Sequence, residues 1–381
     1  MFPEFVAAGL GAGTGILAGL MPGLHTNLLA VVVAGLHADA WLSSVFLVSL
    51  AVSRSVSDSV PTVFLGASED VMSLLPGHQL LKKGFGVEAV KCSVLGSILG
   101  VIGGIALLPV LVFVFPALYA YIRPYVFWLL AVCILLLLLR DKWWAWLVFT
   151  LSGLLGVLAL DAVREPLFPL LSGFFGASGL LLSVFNKVVV PEQHDADMLR
   201  VKAFLPALLG IVAGSILIMF PGLGPSQAAA LAQFKKLKSA RFLVLTGSLG
   251  TVDVIMSLAV LYALNKARNG AVVIVEQLLG SITAQALAMF VAAALFAAGA
   301  SAIIVLLSSK WYGVFVSGMN YALLSLCVFS FLCAMSFFLS GLLGVLIFAT
   351  ATAIGLIAPL SNCSRAHAMG CLLVPTLILL W

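Results

Sequence analysis

The sequence predicts an all-α polytopic membrane protein of about 10–12 transmembrane and re-entrant helices. Of its 381 residues, 63% are hydrophobic and only 9% are charged, whereas soluble domains carry about 25% charged residues. The apolar runs are long, since Val87–Leu118 and Val126–Leu139 contain one Glu and one Lys between them. A helix that crosses a bilayer needs roughly 20 mostly apolar residues. Too little polar surface remains to cover a soluble domain.

A polar stretch near the middle divides the chain into two hydrophobic halves. It runs from Asn186 to Lys202 and contains one proline and six charged residues. We predict a first transmembrane repeat over residues 1–186, a connector over residues 187–202 and a second repeat over residues 203–381. Because transporter halves are commonly related by inverted topology, the expected architecture is two pseudo-symmetric, inverted repeats with broken helices at the bilayer midplane.

Each half contains one Pro-Gly-Leu sequence that interrupts an apolar run, at residues 22–24 and 221–223. Proline removes a backbone donor and glycine loosens the local dihedrals, so the pair breaks a helix. Inside a bilayer a broken backbone is tolerated only where it is buried in protein or lines a polar cavity. A helix that restarts after such a break presents free N–H groups to an anion. Corresponding breaks in two halves therefore predict a shared substrate site.

The predicted substrate contacts at the two breaks are Pro22, Gly23, Leu24, His25, Thr26, Asn27, Pro221, Gly222, Leu223, Gly224, Pro225, Ser226 and Gln227. His25 could titrate near neutral pH or simply form a hydrogen bond where the helix restarts. Both breaks could also be packing kinks without a ligand.

An acidic residue among hydroxyls follows each break. Asp58 comes 36 residues after Pro22, and Asp253 comes 32 residues after Pro221. Charged groups within membrane segments usually face the interior of a bundle. We predict that both carboxylates bind a coupling ion, Na⁺ or a proton, and that a metal is otherwise absent.

Serine and threonine neighbours complete the predicted site. Ser248 and Thr251 are expected to assist Asp253, and Ser55, Ser57 and Ser59 to contact substrate. Arg54 precedes Asp58 by four residues, so the two share a helix face. Arg54 could meet an anionic substrate, or the two could form a structural pair near the membrane surface.

The sequence disfavours an enzyme. It contains no G-x-S-x-G, H-E-x-x-H or P-loop motif, which argues against those hydrolases and against direct use of ATP. The basic residues cluster in loops, as in Lys235–Arg241, where they would face anionic lipid in the cytoplasmic membrane and not nucleic acid. Membrane orientation and oligomeric state stay open.

The motifs resemble a known family. Pro22-Gly23-Leu24, Pro221-Gly222-Leu223-Gly224, the Ser-rich segment before Asp58 and Pro76–Gly84 are similar to the large membrane subunit of the tripartite tricarboxylate transporters, in particular its shorter stand-alone (TctA-like) relatives. The resemblance implies an anion-transporting fold. In the full system a soluble binding protein and a small membrane subunit assist. The family's Gly-Gly-Ser appears here as Ser55-Val56-Ser57, so citrate-like specificity is not implied.

Three hypotheses follow. The first is a cation-coupled secondary transporter of a small organic anion that is held between the two breaks and exposed to each side of the membrane in turn. The second is a translocase of a polyprenyl-phosphate lipid, whose phosphate would bind the same helix N-termini. The third is a membrane scaffold that transports nothing.

Overall fold

A computed structural model describes residues 2–21, 26–36, 38–64, 71–163, 165–185, 191–193, 202–220, 225, 228–229, 238–317 and 320–381. Within these ranges the regular structure is helical, without strands. Of the predicted connector, only residues 191–193 and 202 are described. The Gln193 side chain accepts a hydrogen bond from the Gly86 backbone N–H (2.7 Å).

The helices of the first half are α1 (Phe2–Leu20), α2 (Thr26–Gly35), α3 (Ala40–Ser57), α4 (Ser59–Phe64), α5 (Val71–Leu81), α6 (Gly86–Ile122), α7 (Val126–Leu139), α8 (Trp144–Leu160), α9 (Leu167–Leu171) and α10 (Ser178–Phe185). Those of the second half are α11 (Phe204–Leu217), α12 (Ser239–Leu264), α13 (Gly270–Leu279), α14 (Ala284–Ser317), α15 (Tyr321–Leu360) and α16 (Gly370–Leu380). A π-helical turn, Ser172–Ala177, joins α9 to α10, and α15 bends at Gly341, where φ is 65°.

The described residues form seven helical segments that are long and apolar enough to cross a membrane. They are Phe2–Leu20, Ala40–Phe64, Gly86–Leu139, Leu167–Phe185, Ser239–Leu264, Ala284–Phe315 and Ala322–Leu360. Four shorter apolar helices accompany them: Trp144–Leu160, Phe204–Ile216, Gly270–Leu279 and Arg365–Leu380. Outward-facing Leu, Phe and Trp side chains cover the outer helices, as contact with acyl chains requires. The prediction of an all-helical multi-pass membrane protein is confirmed.

Two helices form the centre of the bundle. Helix α12 packs against α3, α5, α6 and α11, and helix α3 packs against α1 and α14. Most of the α12 side chains lie inside the protein, and the segment from Ala40 to Phe64 is also largely buried. Polar side chains on α3 and α12 therefore face other protein elements and not lipid.

Close glycine contacts hold the first helix of each half against its central helix. In the first half, a methyl group on Gly11 or Gly15 of α1 would overlap the carbonyl oxygens of Phe46 or Leu50 on α3. In the second half, a methyl group on Gly210 of α11 would come 2.6 Å from the Leu245 carbonyl oxygen of α12. Small residues permit such approach between membrane helices. Gly210 follows Gly11 by 199 positions, and Leu245 follows Phe46 by the same interval.

Two hydrogen bonds cross from one half to the other with the same interval. The Asp141 carboxylate accepts from the Ser364 backbone N–H (2.7 Å), and the Ser340 hydroxyl donates to the Glu165 carbonyl (2.9 Å). Ser340 stands 199 positions after Asp141, and Ser364 stands 199 positions after Glu165. Each half therefore reaches across to the other through corresponding positions.

Candidate functional site

Helix α3 and the short helix α4 are buried along their length except at two positions. From Leu47 to Phe64, only Ser55 and Asp58 have side chains that solvent reaches in part. The two are three residues apart, so they share one helix face. Asp58 donates its backbone N–H to the Arg54 carbonyl (2.9 Å), and the Thr62 hydroxyl lies 3.4 Å from the Asp58 Oδ2.

Helix α12 shows the same pattern. From Phe242 to Leu261, only Gly250 and Asp253 are partly accessible, and they too stand three residues apart. An aspartate is costly in a helix of this hydrophobicity unless it faces a polar cavity or a partner. The accessible stripe therefore marks where the interior of the bundle is polar.

The two accessible stripes meet. A Cβ added at Gly250 would come 2.8 Å from the Ser55 Oγ, so the α12 backbone approaches the α3 hydroxyl closely. Asp58 and Asp253 each lie one turn further along their own helix. We call these four partly accessible positions, Ser55, Asp58, Gly250 and Asp253, the α3–α12 cleft.

Asp253 has a specific partner. The Asn269 side-chain amide donates to the Asp253 Oδ2 at 2.7 Å. Asn269 belongs to the turn between α12 and α13, and the Ser257 hydroxyl accepts the backbone N–H groups of Arg268 (3.0 Å) and Asn269 (2.9 Å). The carboxylate is therefore held by an uncharged donor, which stabilises the ionised form without neutralising it.

The structure does not bring the other predicted hydroxyls to the cleft. Ser57 and Ser59 are buried; Ser57 donates to the Ser53 carbonyl within α3, and Ser59 of α4 donates to the Val56 carbonyl of α3. Ser248 donates to the Leu245 and Ala207 carbonyls, and Thr251 donates to the Ser97 carbonyl of α6 (2.8 Å). Each hydroxyl thus has its own hydrogen bond, and those of Ser248 and Thr251 link α12 to its neighbours α11 and α6.

Arg54 is buried, with 7% of its surface exposed, whereas Asp58 is partly accessible. Arg54 is therefore packed inside the protein, one helical turn before Asp58. A buried Arg in this place can act on charge inside the protein because a low dielectric strengthens its field.

Both predicted breaks lie largely outside the described residues: 22–25, 221–224 and 226–227 are not described, nor is the Asn27 side chain. The flanking structure is described. Helix α1 ends at Leu20, α2 begins at Thr26, and α11 ends at Leu217. Pro225 is partly buried. The first segment of each half thus stops being a regular helix just before its Pro-Gly-Leu sequence.

Two residues of the cleft region carry no signal of their own in the sequence. Gly250 is one of 35 glycines, and Asn269 precedes a glycine in an ordinary turn sequence. The helical period would have found Gly250, because it is one turn from Asp253. Among the described residues, no group of three His, Cys, Asp or Glu side chains could hold a metal ion.

A helical multi-pass protein with acidic residues at the accessible positions of two buried central helices has the construction of a membrane transporter. The chain belongs to the tripartite tricarboxylate transporter TctA family, whose model matches residues 5–370. The predicted resemblance is confirmed. The chain is also similar to an uncharacterized protein of Methanocaldococcus jannaschii, with 27% identity over 393 residues that cover 97% of each chain. No solved structure matches the chain.

Proposed function

We propose that this protein is a cation-coupled secondary transporter of a small organic anion in the cytoplasmic membrane. The observation that carries the proposal is the α3–α12 cleft, in which the accessible positions of two buried helices include Asp58 and Asp253. Carboxylates inside a membrane bundle are typical of ion and proton pathways. Membership of the family supports a carboxylate as the substrate.

The coupling ion, Na⁺ or a proton, would bind in the cleft. The Asp253 Oδ2 accepts a hydrogen bond from Asn269, and the other carboxylate oxygen would bind the ion. Asp58 supplies a second negative charge on the facing helix, and Arg54 is the buried cation beside it. A monovalent cation bound between the two carboxylates would lower their mutual repulsion. Its binding would make the net charge of the cleft less negative.

The substrate would bind at the two breaks. Helix α2 begins at Thr26, two residues after Leu24 of the first Pro-Gly-Leu sequence, and its first turn would offer backbone N–H groups to a carboxylate. The recurrence of the glycine contacts and of the crossing hydrogen bonds after 199 positions supports two related halves, residues 1–186 and 203–381. Rocking of one half against the other would expose the site alternately.

The family name supports accessory proteins, and we propose a soluble binding protein and a small membrane subunit as partners. The chain itself would be the membrane subunit that translocates the substrate. The chain alone would exchange substrate that has already reached the two breaks.

Uptake by purified protein in proteoliposomes tests the proposal. Radiolabelled succinate and citrate are offered with an inward Na⁺ gradient, an inward proton gradient, or neither. We expect one carboxylate to accumulate in response to one gradient. Equal uptake with and without the gradients would contradict cation coupling. Transfer of a fluorescent short-chain polyprenyl phosphate without carboxylate uptake would contradict the carboxylate substrate and favour a lipid translocase.

Asp253→Asn tests the role of the cleft. This variant keeps the volume of the side chain but loses its charge, so we expect gradient-driven uptake to fall at least about tenfold. Asp39→Asn is the matched control, because Asp39 caps α3 at its exposed end (Oδ1 to Leu42 N–H, 2.8 Å) and Asn caps equally well. Equal uptake by the two variants would remove Asp253 from the coupling mechanism.

A further inference from the structure

Asn269 uses its backbone and both ends of its side chain. Its amide group donates to Asp253 (2.7 Å), its side-chain oxygen accepts the Ala271 backbone N–H (3.1 Å), and its own backbone N–H donates to Ser257 (2.9 Å). The side-chain oxygen thereby caps the N-terminus of α13. One residue connects the acidic residue of the cleft to the start of a separate helix.

The position of Asn269 is fixed by the backbone around it. Asn265, the residue after α12, adopts a left-handed conformation (φ 51°), and Ser257 holds the following turn by accepting two backbone N–H groups. The Glu276 carboxylate accepts the Ala267 backbone N–H (2.8 Å) and closes the turn against α13. A change confined to the Asn269 side chain therefore leaves the turn in place.

The hydrogen bond from Asn269 depends on the charge of Asp253. A bond to an ionised carboxylate is roughly twice as strong as one between neutral groups. A proton or a cation on Asp253 weakens this bond and releases part of the constraint on the α13 cap. Helix α13 packs against both α2 and α3, and α2 begins at Thr26, close to the first Pro-Gly-Leu sequence.

Other charged and titratable groups around α12 could also shift the pH dependence of uptake. On the described residues they are Arg54 on α3 and Asp58 directly after it, His78 on α5, Glu88, Lys91, Cys92, Tyr119 and Tyr121 on α6, Arg241 and Tyr262 on α12 itself, Lys266 and Arg268 in the turn after it, Glu276 on α13, and Lys310 and Tyr312 on α14. Helix α11 has none. Within the described residues no cation forms an ion pair with Asp253, so Asn269 is its direct polar neighbour.

We propose that Asn269 is a positioning residue that sets the ion affinity of Asp253 and transmits its charge state to α13 and α2. The inference rests on the proposed function and extends it to a residue outside the cleft. Asn269 is linked to the cleft through its hydrogen bond to Asp253.

A pair of identical substitutions tests the inference. Asn320 also caps a helix with its side-chain oxygen (to Ala322 N–H, 3.1 Å, and Leu323 N–H, 3.2 Å), but it contacts no acidic residue among the described ones. Asn→Asp preserves a cap at either position. At position 269 it places a second carboxylate beside Asp253, and two carboxylates that share a site bind a proton more tightly. Asn269→Ser keeps a capping oxygen without amide or charge.

The pH dependence of succinate and citrate uptake is measured for the wild type and the three variants. We expect the half-maximal pH to rise by about one unit or more in Asn269→Asp, to rise less in Asn269→Ser, and to stay unchanged in Asn320→Asp. The same midpoint in Asn269→Asp and Asn320→Asp would overturn the inference.

The melting temperature of the detergent-purified proteins, measured against pH, gives a readout that needs no transport. A carboxylate pair with raised proton affinity stabilises the folded state at low pH and loses that stabilisation as pH rises. We expect this loss in Asn269→Asp and not in Asn320→Asp. If wild-type protein takes up neither substrate, the proposed function fails, while parallel melting curves of the two Asp variants would refute the Asn269 contact independently.

Discussion

Several contacts in the first half of the chain recur in the second half after 199 positions, while the charges at matching positions differ. Gly11 against Phe46 in the first half corresponds to Gly210 against Leu245 in the second, 199 positions later. The same interval makes Arg54 the counterpart of Asp253, and Asp58 the counterpart of Ser257. The packing positions have kept their small residues, whereas the positions beside the cleft carry opposite charge or none.

The two halves therefore place different charged groups at matching positions. The first half contributes a buried guanidinium and an accessible carboxylate, one turn apart. The second half contributes a carboxylate held by an amide, and at the next turn a hydroxyl that accepts two backbone N–H groups. In the proposed mechanism, the first half would bind the anion and the second half the coupling cation.

The largest effect should come from breaking the shared scaffold. Gly15→Leu and Gly214→Leu place a side chain where the facing helix leaves no space, at a cost of about 3 kcal/mol or more. We expect both to lose the monodisperse peak in size-exclusion chromatography. Gly13→Leu is the control on α1, since nothing lies within 4 Å of that position. Damage in only one of the two halves would contradict the equivalence of the contacts.

A smaller effect should come from narrowing the cleft. Gly250→Ala brings a methyl group 2.8 Å from the Ser55 Oγ, which is closer than van der Waals contact. We expect succinate or citrate uptake to fall about tenfold without loss of folded protein. Ser55→Ala in the same chain removes the clashing oxygen and should restore most of the uptake.

Gly299→Ala serves as the control for that experiment, because position 299 has open space around it. If the Ser55→Ala, Gly250→Ala double variant is no better than Gly250→Ala alone, the close approach of α3 and α12 does not limit transport.

The smallest effects should come from the two crossing hydrogen bonds. Burial acts to raise the pKa of Asp141, but the N–H groups of Ser364 and Lys142 and the His367 ring outweigh it, so its pKa lies below the ordinary value. The stabilisation is therefore present above pH about 4 and is lost as pH falls through the lowered pKa. Asp141→Asn and Ser340→Ala should each cost about 1 kcal/mol at neutral pH.

Of these two losses in the free energy of unfolding, only that of Asp141→Asn should depend on pH. Melting curves of wild-type protein and Asp141→Asn should converge as the pH drops below about 4, whereas Ser340→Ala should stay below wild type at every pH. Parallel curves for Asp141→Asn would show that its carboxylate is not what ties the loops together.

The sequence predicts the membrane class, the helical fold and the two acidic residues, because apolar length and buried charge follow directly from the energetics of lipid. It does not predict which neighbours share the cleft. Thr251 is two residues from Asp253 and lies on the far side of α12, where it bonds to Ser97. Gly250 approaches Ser55 of another helix, and Asn269 donates a hydrogen bond to Asp253. Neither contact can be predicted from the residue types alone.

The register of the two halves can be read from the sequence. The two Pro-Gly-Leu sequences lie 199 positions apart, whereas Asp58 and Asp253 lie 195 positions apart, so the exact spacing matches Asp253 with Arg54 and not with Asp58. The glycine contacts of both halves have the same interval of 199 positions. A match based on the two acidic residues alone differs from this register by one helical turn and keeps the same helix face.

Cysteine accessibility tests the central claim that the α3–α12 cleft is a polar space open to solvent. In a chain whose six native cysteines are replaced, Ser55→Cys and the neighbouring buried Val56→Cys are treated with a membrane-impermeant methanethiosulfonate reagent. We expect Ser55→Cys to react at least about tenfold faster, and to be slowed by the transported carboxylate or its coupling ion. Equal, slow labelling of the two positions would contradict the account.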